Sequence, residues 1–325
     1  MATKIPEMVL RHGDARTMPY IGLGTAVYPF VESEVMKSAI IRALQLGYRH
    51  IDTASLYFSE NAVGEAIKEA LQRGIIQSRE EIFVTSKLWC SEAHLDLVLP
   101  ALHKSLKDLQ LEYIDLYLIH YPASLKPGLF GKFKFPPDPE DAFPMDFRSV
   151  WEAMEECQKL GLTKAIGVSN FSCENLDKIL EFATIIPAVN QVEMHPIWQQ
   201  KKLRKYCNEK GIQVCAYSPL GAKGTPWGGN LVMDSEVLQQ IAKRVGKSLP
   251  QVCLRWIYEQ GIVLVVKSFN EERLKENLDI FDWKLSEEDL HLIENLEQKR
   301  LNPAEFFVYP TGPYKSVAEF WDGDV

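Results

Sequence analysis

Short apolar runs rich in β-formers alternate along this chain with stretches whose apolar residues return at helical spacing. The runs are YIGLGTAV at 20–27, YRHIDTA at 48–54, IFVTSKL at 82–88 and DLYLIHY at 115–121. TKAIGVSN at 163–170, PAVNQVEM at 187–194, QVCAYSP at 213–219 and GIVLVVKS at 261–268 follow. Between them, Ala62, Val63, Ala66, Ile67, Ala70 and Leu71 fall on one helical face, and Val150, Trp151, Met154, Cys157 and Leu160 on another, stopped by Gly161. Eight such alternations with no composition break or linker predict a parallel (β/α)₈ TIM barrel, one α/β domain over 1–325. A doubly wound sheet is the alternative. VLRHGDARTMP at 9–19 reads as a hairpin around Gly13-Asp14 that caps the barrel floor. VGKS at 245–248 reads as a turn between helices, lacking the earlier glycine of a phosphate loop.

Three segments exceed ordinary βα-loop length and are candidates for binding loops at the carboxyl-terminal face: 123–147, 220–232 and the aromatic tail 301–325. Composition narrows the class of partner. A formal net charge of −8 and a pI near 5.5 argue against nucleic-acid or anionic-membrane surfaces. No run is long enough to span a bilayer, and the amino end shows no secretory pattern. The six cysteines include no C-x-x-C pair and read as reduced thiols, so a cytosolic protein without a metal site is expected. His195, before Pro196, reads as a packing histidine.

In a βα barrel the site is built at the carboxyl ends of the strands. Those ends carry Asp52, Lys87 and His120, with Tyr57 just past the second strand. A structural ion pair beside a core histidine is the bland reading of any one of them. Together they form a complete acid: Asp52 holds Lys87, an ammonium beside Tyr57 lowers the phenol's pKa, and His120 orients a substrate oxygen.

GYRHIDTASLYFSENAVG at 47–64, SKLW at 86–89, LIHYP at 118–122, GVSNFS at 167–172, NQVEMHP at 190–196, YSPLG at 217–221 and KSFNEERLKENL at 267–278 together resemble the aldo-keto reductases. That resemblance implies a catalytic tetrad of Asp52, Tyr57, Lys87 and His120, with Tyr57 the proton donor, and NADPH lying across the barrel mouth. It implies that Ser169, Asn170 and Gln191 hold the carboxamide and that Tyr217 stacks on the nicotinamide. Ser218, Leu220 and Gly221 would lie along the pyrophosphate, and Lys267, Ser268, Arg273 and Asn277 around the 2′-phosphate. Thr25, Ala26, Asp52, Phe269 and Glu276 complete the cofactor-facing set. Lys267 and Arg273 also have the charge a 2′-phosphate requires. GLGTAV at 22–27 lacks the third glycine of a dinucleotide fingerprint, so no second nucleotide site is implied.

The sequence departs from its relatives at Ala26, where many carry a bulky aromatic, at Tyr121, where others have tryptophan, and at Val266, usually proline. The small Ala26 implies a wide pocket walled by Ala26, Val27, Trp89, Tyr121, Trp227 and Phe306. Further details resemble the plant branch, with its codeinone, chalcone and methylecgonone reductases and deoxymugineic acid synthase. From these comes the expectation of a monomer that reduces a bulky plant ketone, a tropane ketone such as methylecgonone first. Morphinan or polyketide ketones, a broad aldehyde reductase and a non-catalytic NADPH-binding subunit are the alternatives. A Schiff-base aldolase using Lys87 is a rival from another class.

Overall fold

A computed structural model describes residues 5–14, 17–129 and 138–324. Eight parallel strands close into a barrel: β1 Ile21–Gly24, β2 His50–Asp52, β3 Phe83–Leu88, β4 Ile114–Ile119, β5 Thr163–Ser169, β6 Val189–Glu193, β7 Gln213–Tyr217 and β8 Val263–Val266. Each strand pairs with its sequence neighbours, and β8 closes on β1 through Leu264, Val265 and Val266 opposite Ile21, Gly22 and Leu23. The doubly wound alternative is thereby excluded. Every predicted run holds a strand, mostly trimmed at its ends where the chain turns into loops.

Six helices follow the first six strands: α1 Ser33–Leu46, α2 Glu60–Gln72, α3 Val98–Leu109, α4 Phe147–Lys159, α5 Cys173–Leu180 and α6 Lys201–Lys210. In α2 the residues Ala62, Val63, Ala66, Ile67 and Ala70 are buried, while Leu71, at the edge of the stripe, is 37% exposed. Helices α2 and α3 touch at Gly64, where an added Cβ would sit 2.2 Å from the Leu109 carbonyl oxygen. Gly161 lies just past the end of α4 with φ 75°, as its place in the pattern requires. Between β7 and β8 lie α7 Glu236–Val245 and α8 Leu249–Glu259, joined through Gly246 and a Ser248–Gln251 capping box. The VGKS segment is therefore the expected turn. Helices α9 Glu271–Leu278 and α10 Glu287–Glu294 end the circuit.

The amino-terminal hairpin pairs Glu7–Val9 with Thr17–Pro19, leaving Ala15 and Arg16 outside the described residues. Its buried Leu10 and Met18 pack on Phe83, Leu116, Leu118, Ala165, Val189 and Val263, closing the barrel floor. In the long fourth loop, Ala123–Leu125 pairs antiparallel with Ala142–Pro144. The tail buries Phe307, Phe320 and Trp321 against Trp89, Cys90, Tyr121 and Leu125. The six cysteines are free thiols, and no helix among the described residues is long and apolar enough to cross a membrane.

Candidate active site

Strand parity builds the site. Successive side chains alternate faces, so residues two apart share one. On β3 the inward series is Phe83, Thr85, Lys87, and on β4 and its extension Leu116, Leu118, His120. Phe83, Leu116 and Leu118 belong to the interior cluster, whereas the intervening Val84, Tyr117 and Ile119 pack outward against the helices. On β2 the same alternation takes His50 to Asp52. The series turn polar at the carboxyl ends of the strands, and Asp52, Lys87 and His120 meet there, each 5% exposed or less.

The Lys87 ammonium donates to Asp52 Oδ1 at 2.7 Å and to the Thr53 carbonyl at 2.9 Å. The other carboxylate oxygen of Asp52 accepts from Gln191 Nε2, also at 2.7 Å. The buried charges are thus paired and hydrogen-bonded, which is what makes their burial tolerable. An ammonium so held is not a free amine nucleophile, and the Schiff-base rival loses its reagent. Tyr57 ends a short turn, Ser55–Tyr57, and its hydroxyl lies 3.3 Å from His120 Nε2. Lys87 Nζ stands 4.9 Å from the centroid of the Tyr57 ring.

Electrostatics correct one expectation. Burial raises the Tyr57 phenol well above its ordinary pKa, and the Asp52 carboxylate adds to the rise. Burial, then the Lys87 charge, hold the His120 imidazole well below its ordinary value, so it is neutral at pH 7. His120 Nδ1 is buried with no hydrogen-bond partner among the described residues. A buried N–H without an acceptor is costlier than a bare lone pair, so the network assigns the imidazole proton to Nε2, facing Tyr57.

The cofactor-facing residues ring the same mouth. Ser169 Oγ donates to the Gln191 carbonyl at 2.8 Å, and Asn170, at φ 64°, donates through Nδ2 to the His120 carbonyl at 2.9 Å. Gln191 has turned its amide nitrogen to Asp52. Thr25 Oγ1 donates to the Asp52 carbonyl and contacts Ser59 Oγ, tying the loops after β1 and β2 together. Half-buried Tyr217 donates to Asn170 Oδ1 at 2.7 Å. Beyond it Ser218, Gly221 and Ala222 adopt left-handed backbone at φ 50°, 80° and 52°, while Leu220 and Phe269 pack partly on the core. Lys267 and Arg273 are both exposed, and neither has a carboxylate partner among the described residues. Buried Ser268 accepts from the Asn270 amide, and Asn270 caps α9, placing Arg273 in its first turn. Asn277 is 3% exposed, with Glu276 half-buried beside it. Two unpaired cations beside a helix start fit a 2′-phosphate.

The Aldo/keto reductase family pattern matches residues 20–298. The chain belongs to the aldo/keto reductase family. It is similar to deoxymugineic acid synthase 1 of Zea mays, 57% identical over 95% of this chain and 97% of the other. The 7-acetyl-epi-neemfruitin B aldo-keto reductase of Melia azedarach is 57% identical, covering 95% of each chain. The (1S)-1,7-diacetoxy-luvungin A aldo-keto reductase of Citrus sinensis is 53% identical over the full length of both. The crystal structure of a Bombyx mori aldo-keto reductase in complex with NADP superposes with a TM-score of 0.83 at 34% identity, over 96% of this chain and 100% of the other. The protein is an NADP(H)-dependent oxidoreductase acting on small-molecule carbonyls.

For this reductase, the expected pocket walls divide. Tyr121, 7% exposed, stacks on His120 and meets Phe306 edge-on at 5.6 Å. Trp89 is 1% exposed and packs edge-on behind His120 and Tyr121, supporting the wall rather than forming its surface. Ala26 is half-buried at the rim, Val27 packs partly on the outer core, and Trp227 is half-buried in the 220–232 loop with no ring pair among the described residues. Sequence reasoning missed Tyr28, Phe30 and Phe58, exposed aromatics whose rings pair edge-on at the rim beside Tyr57. It also missed Glu193. This buried carboxylate accepts from the Leu301 and Asn302 amides, both at 3.0 Å, and pins the tail across the mouth. His195 Nε2 lies 3.1 Å from the same carboxylate, a packing role as expected.

Proposed function

We propose that this reductase transfers hydride from NADPH to a bulky ketone, with Tyr57 as proton donor, giving a secondary alcohol. The observation that carries the proposal is the Tyr57 hydroxyl at 3.3 Å from His120 Nε2 above the Lys87–Asp52 pair. Bound NADPH supplies the hydride. Because His120 donates its Nε2 proton towards Tyr57, the phenol's own proton is free for a carbonyl oxygen. As that proton leaves, the hydrogen bond from His120 Nε2 becomes charge-assisted and strengthens, so the protein's stabilisation grows as charge develops. Asp52 and Gln191 keep Lys87 fixed. Lys267 and Arg273, without a carboxylate partner among the described residues, favour NADPH over NADH.

A bulky substrate is favoured by small Ala26 on one side of the mouth, by Tyr121 and Phe306 on another, and by the exposed ring cluster of Tyr28, Phe30 and Phe58. Two relatives named for acetyl- and acetoxy-bearing substrates widen the expected range beyond a tropane ketone such as methylecgonone. The deciding experiment follows NADPH absorbance over a panel running from small aldehydes through bicyclic amino-ketones to large oxygenated polycyclic ketones. Highest kcat/KM on a polycyclic or bicyclic ketone supports the reading; a preference for small aldehydes overturns it. In Tyr57→Phe the turnover should fall about 10³-fold with NADPH affinity nearly unchanged.

A further inference from the structure

We propose that Asn302 is a positioning residue through which the docked tail fixes both the His120 imidazole and the Tyr217 ring. The inference rests on the carbonyl-reductase reading above. Asn302 is 3% exposed, and Glu193 pins its backbone amide. Its Nδ2 donates to Tyr121 Oη at 3.1 Å and to Tyr217 Oη at 3.0 Å. A side-chain amide has two N–H hydrogens, and here each meets a phenol oxygen.

The phenols lead to His120 by separate routes. Tyr121 stacks its ring on the imidazole, with centroids 5.5 Å apart and planes 18° from parallel. Tyr217 donates its own proton to Asn170 Oδ1, and Asn170 Nδ2 holds the His120 carbonyl. One tail residue therefore grips the histidine through its ring and through its backbone. Since Asn302 can only donate through Nδ2, Tyr121 Oη is held as an acceptor. Its own proton has no acceptor among the described residues and is available to an oxygen function on the substrate. Asn302 lies beyond residue 298, where the shared family pattern stops, while the residues it grips lie within that pattern.

The test uses the full-length protein and compares wild type with Asn302→Leu, Tyr121→Phe and their combination. The readouts are kcat and KM on the best ketone of the panel, NADPH affinity by fluorescence titration, and melting temperature. Leucine keeps the volume and removes both donors. Asn302→Leu is expected to lower kcat about tenfold and weaken NADPH binding about threefold. Combined with Tyr121→Phe, it should lose less than the product of the single losses, because the two act along one path. Kinetic constants and NADPH affinity within about twofold of wild type, or strictly multiplicative losses, would show a packing residue and overturn the proposal. Should Asn302→Leu fail to fold, Tyr121→Phe with Tyr217→Phe removes the same acceptors while sparing the tail; unchanged kcat and affinity there overturn it equally. If the wild type binds NADPH but reduces nothing, the ketone-reductase reading fails by itself. The affinity arm then still decides the Tyr217 half of the clamp.

Discussion

The two ends of the barrel are made from the same strands, yet they are held together by different physics. At the floor, Leu10 and Met18 of the hairpin press on Phe83, Leu116 and Leu118, an apolar plug with no polar partner to satisfy. At the mouth, one or two positions further along the same inward series, Asp52, Lys87 and His120 replace them. The floor is stabilised by area removed from water, which is additive and tolerant. The mouth is stabilised by mutual neutralisation, which fails as a unit when one member is removed. The difference teaches where function is concentrated: where a strand gives up apolar burial for a charge that needs a partner.

Breaking the mouth should have the largest effect. Lys87→Met leaves Asp52 buried without its counter-charge, so activity is expected to fall at least about 10²-fold and stability by about 3–5 kcal/mol. Adding Asp52→Asn should return most of the stability and none of the activity. Denaturant titration beside steady-state kinetics separates the two. Stability restored together with turnover would mean the pair is only structural.

The floor gives the converse. Leu118→Ala, wholly inside the plug, is expected to cost about 3 kcal/mol of unfolding free energy while kcat at 25 °C stays near wild type. A loss of turnover as deep as that of Lys87→Met would erase the distinction between the ends. Gly64→Ala provides a control outside both, where Cβ would drive against the Leu109 carbonyl; a loss of about 2 kcal/mol is expected from overpacking.

How much of this was legible follows from the same contrast. Apolar runs marked every strand, and parity carried Asp52, Lys87 and His120 to one end, because both signals are local. The role of Glu193 was hidden: it faces Leu301 and Asn302, more than a hundred residues away in sequence, and nothing in NQVEMHP announces them. The aromatic rim was missed because Tyr28, Phe30 and Phe58 come from two loops that only the closed barrel brings together. The direction of the Tyr57 shift was misread for a related reason. The residue types suggested that an ammonium held by Asp52 would still lower the phenol's pKa, whereas burial and the Asp52 carboxylate raise it in the folded chain.

A smaller effect tests the rim's charge. Arg273→Ala should raise KM for NADPH about tenfold and leave KM for NADH nearly unchanged, since only the former carries a 2′-phosphate. Equal losses with both cofactors would place Arg273 on the adenine or on the helix alone.

The smallest change is expected from pH, and its smallness is the point. Reduction requires the Tyr57 proton, and the folded pKa lies above the ordinary value near 10, so the donor stays loaded through neutral and mildly alkaline solution. His120, held below its ordinary value near 6.5, is neutral over the same window. Turnover should therefore stay level from about pH 7 to about pH 9. Stability should not stay level below that window. His50, on the strand that carries Asp52, is pulled down to about 4, chiefly by burial. The unfolded chain takes up its proton near pH 6.5 and the folded chain near 4, so the stabilisation present above 6.5 is lost as pH falls through that interval. Measured together, a level kcat and an acid-sensitive unfolding free energy would separate the chemistry of the mouth from the burial beneath it. A step in kcat near pH 7 would mean that His120 titrates during turnover, and the tautomer assigned to it would fall.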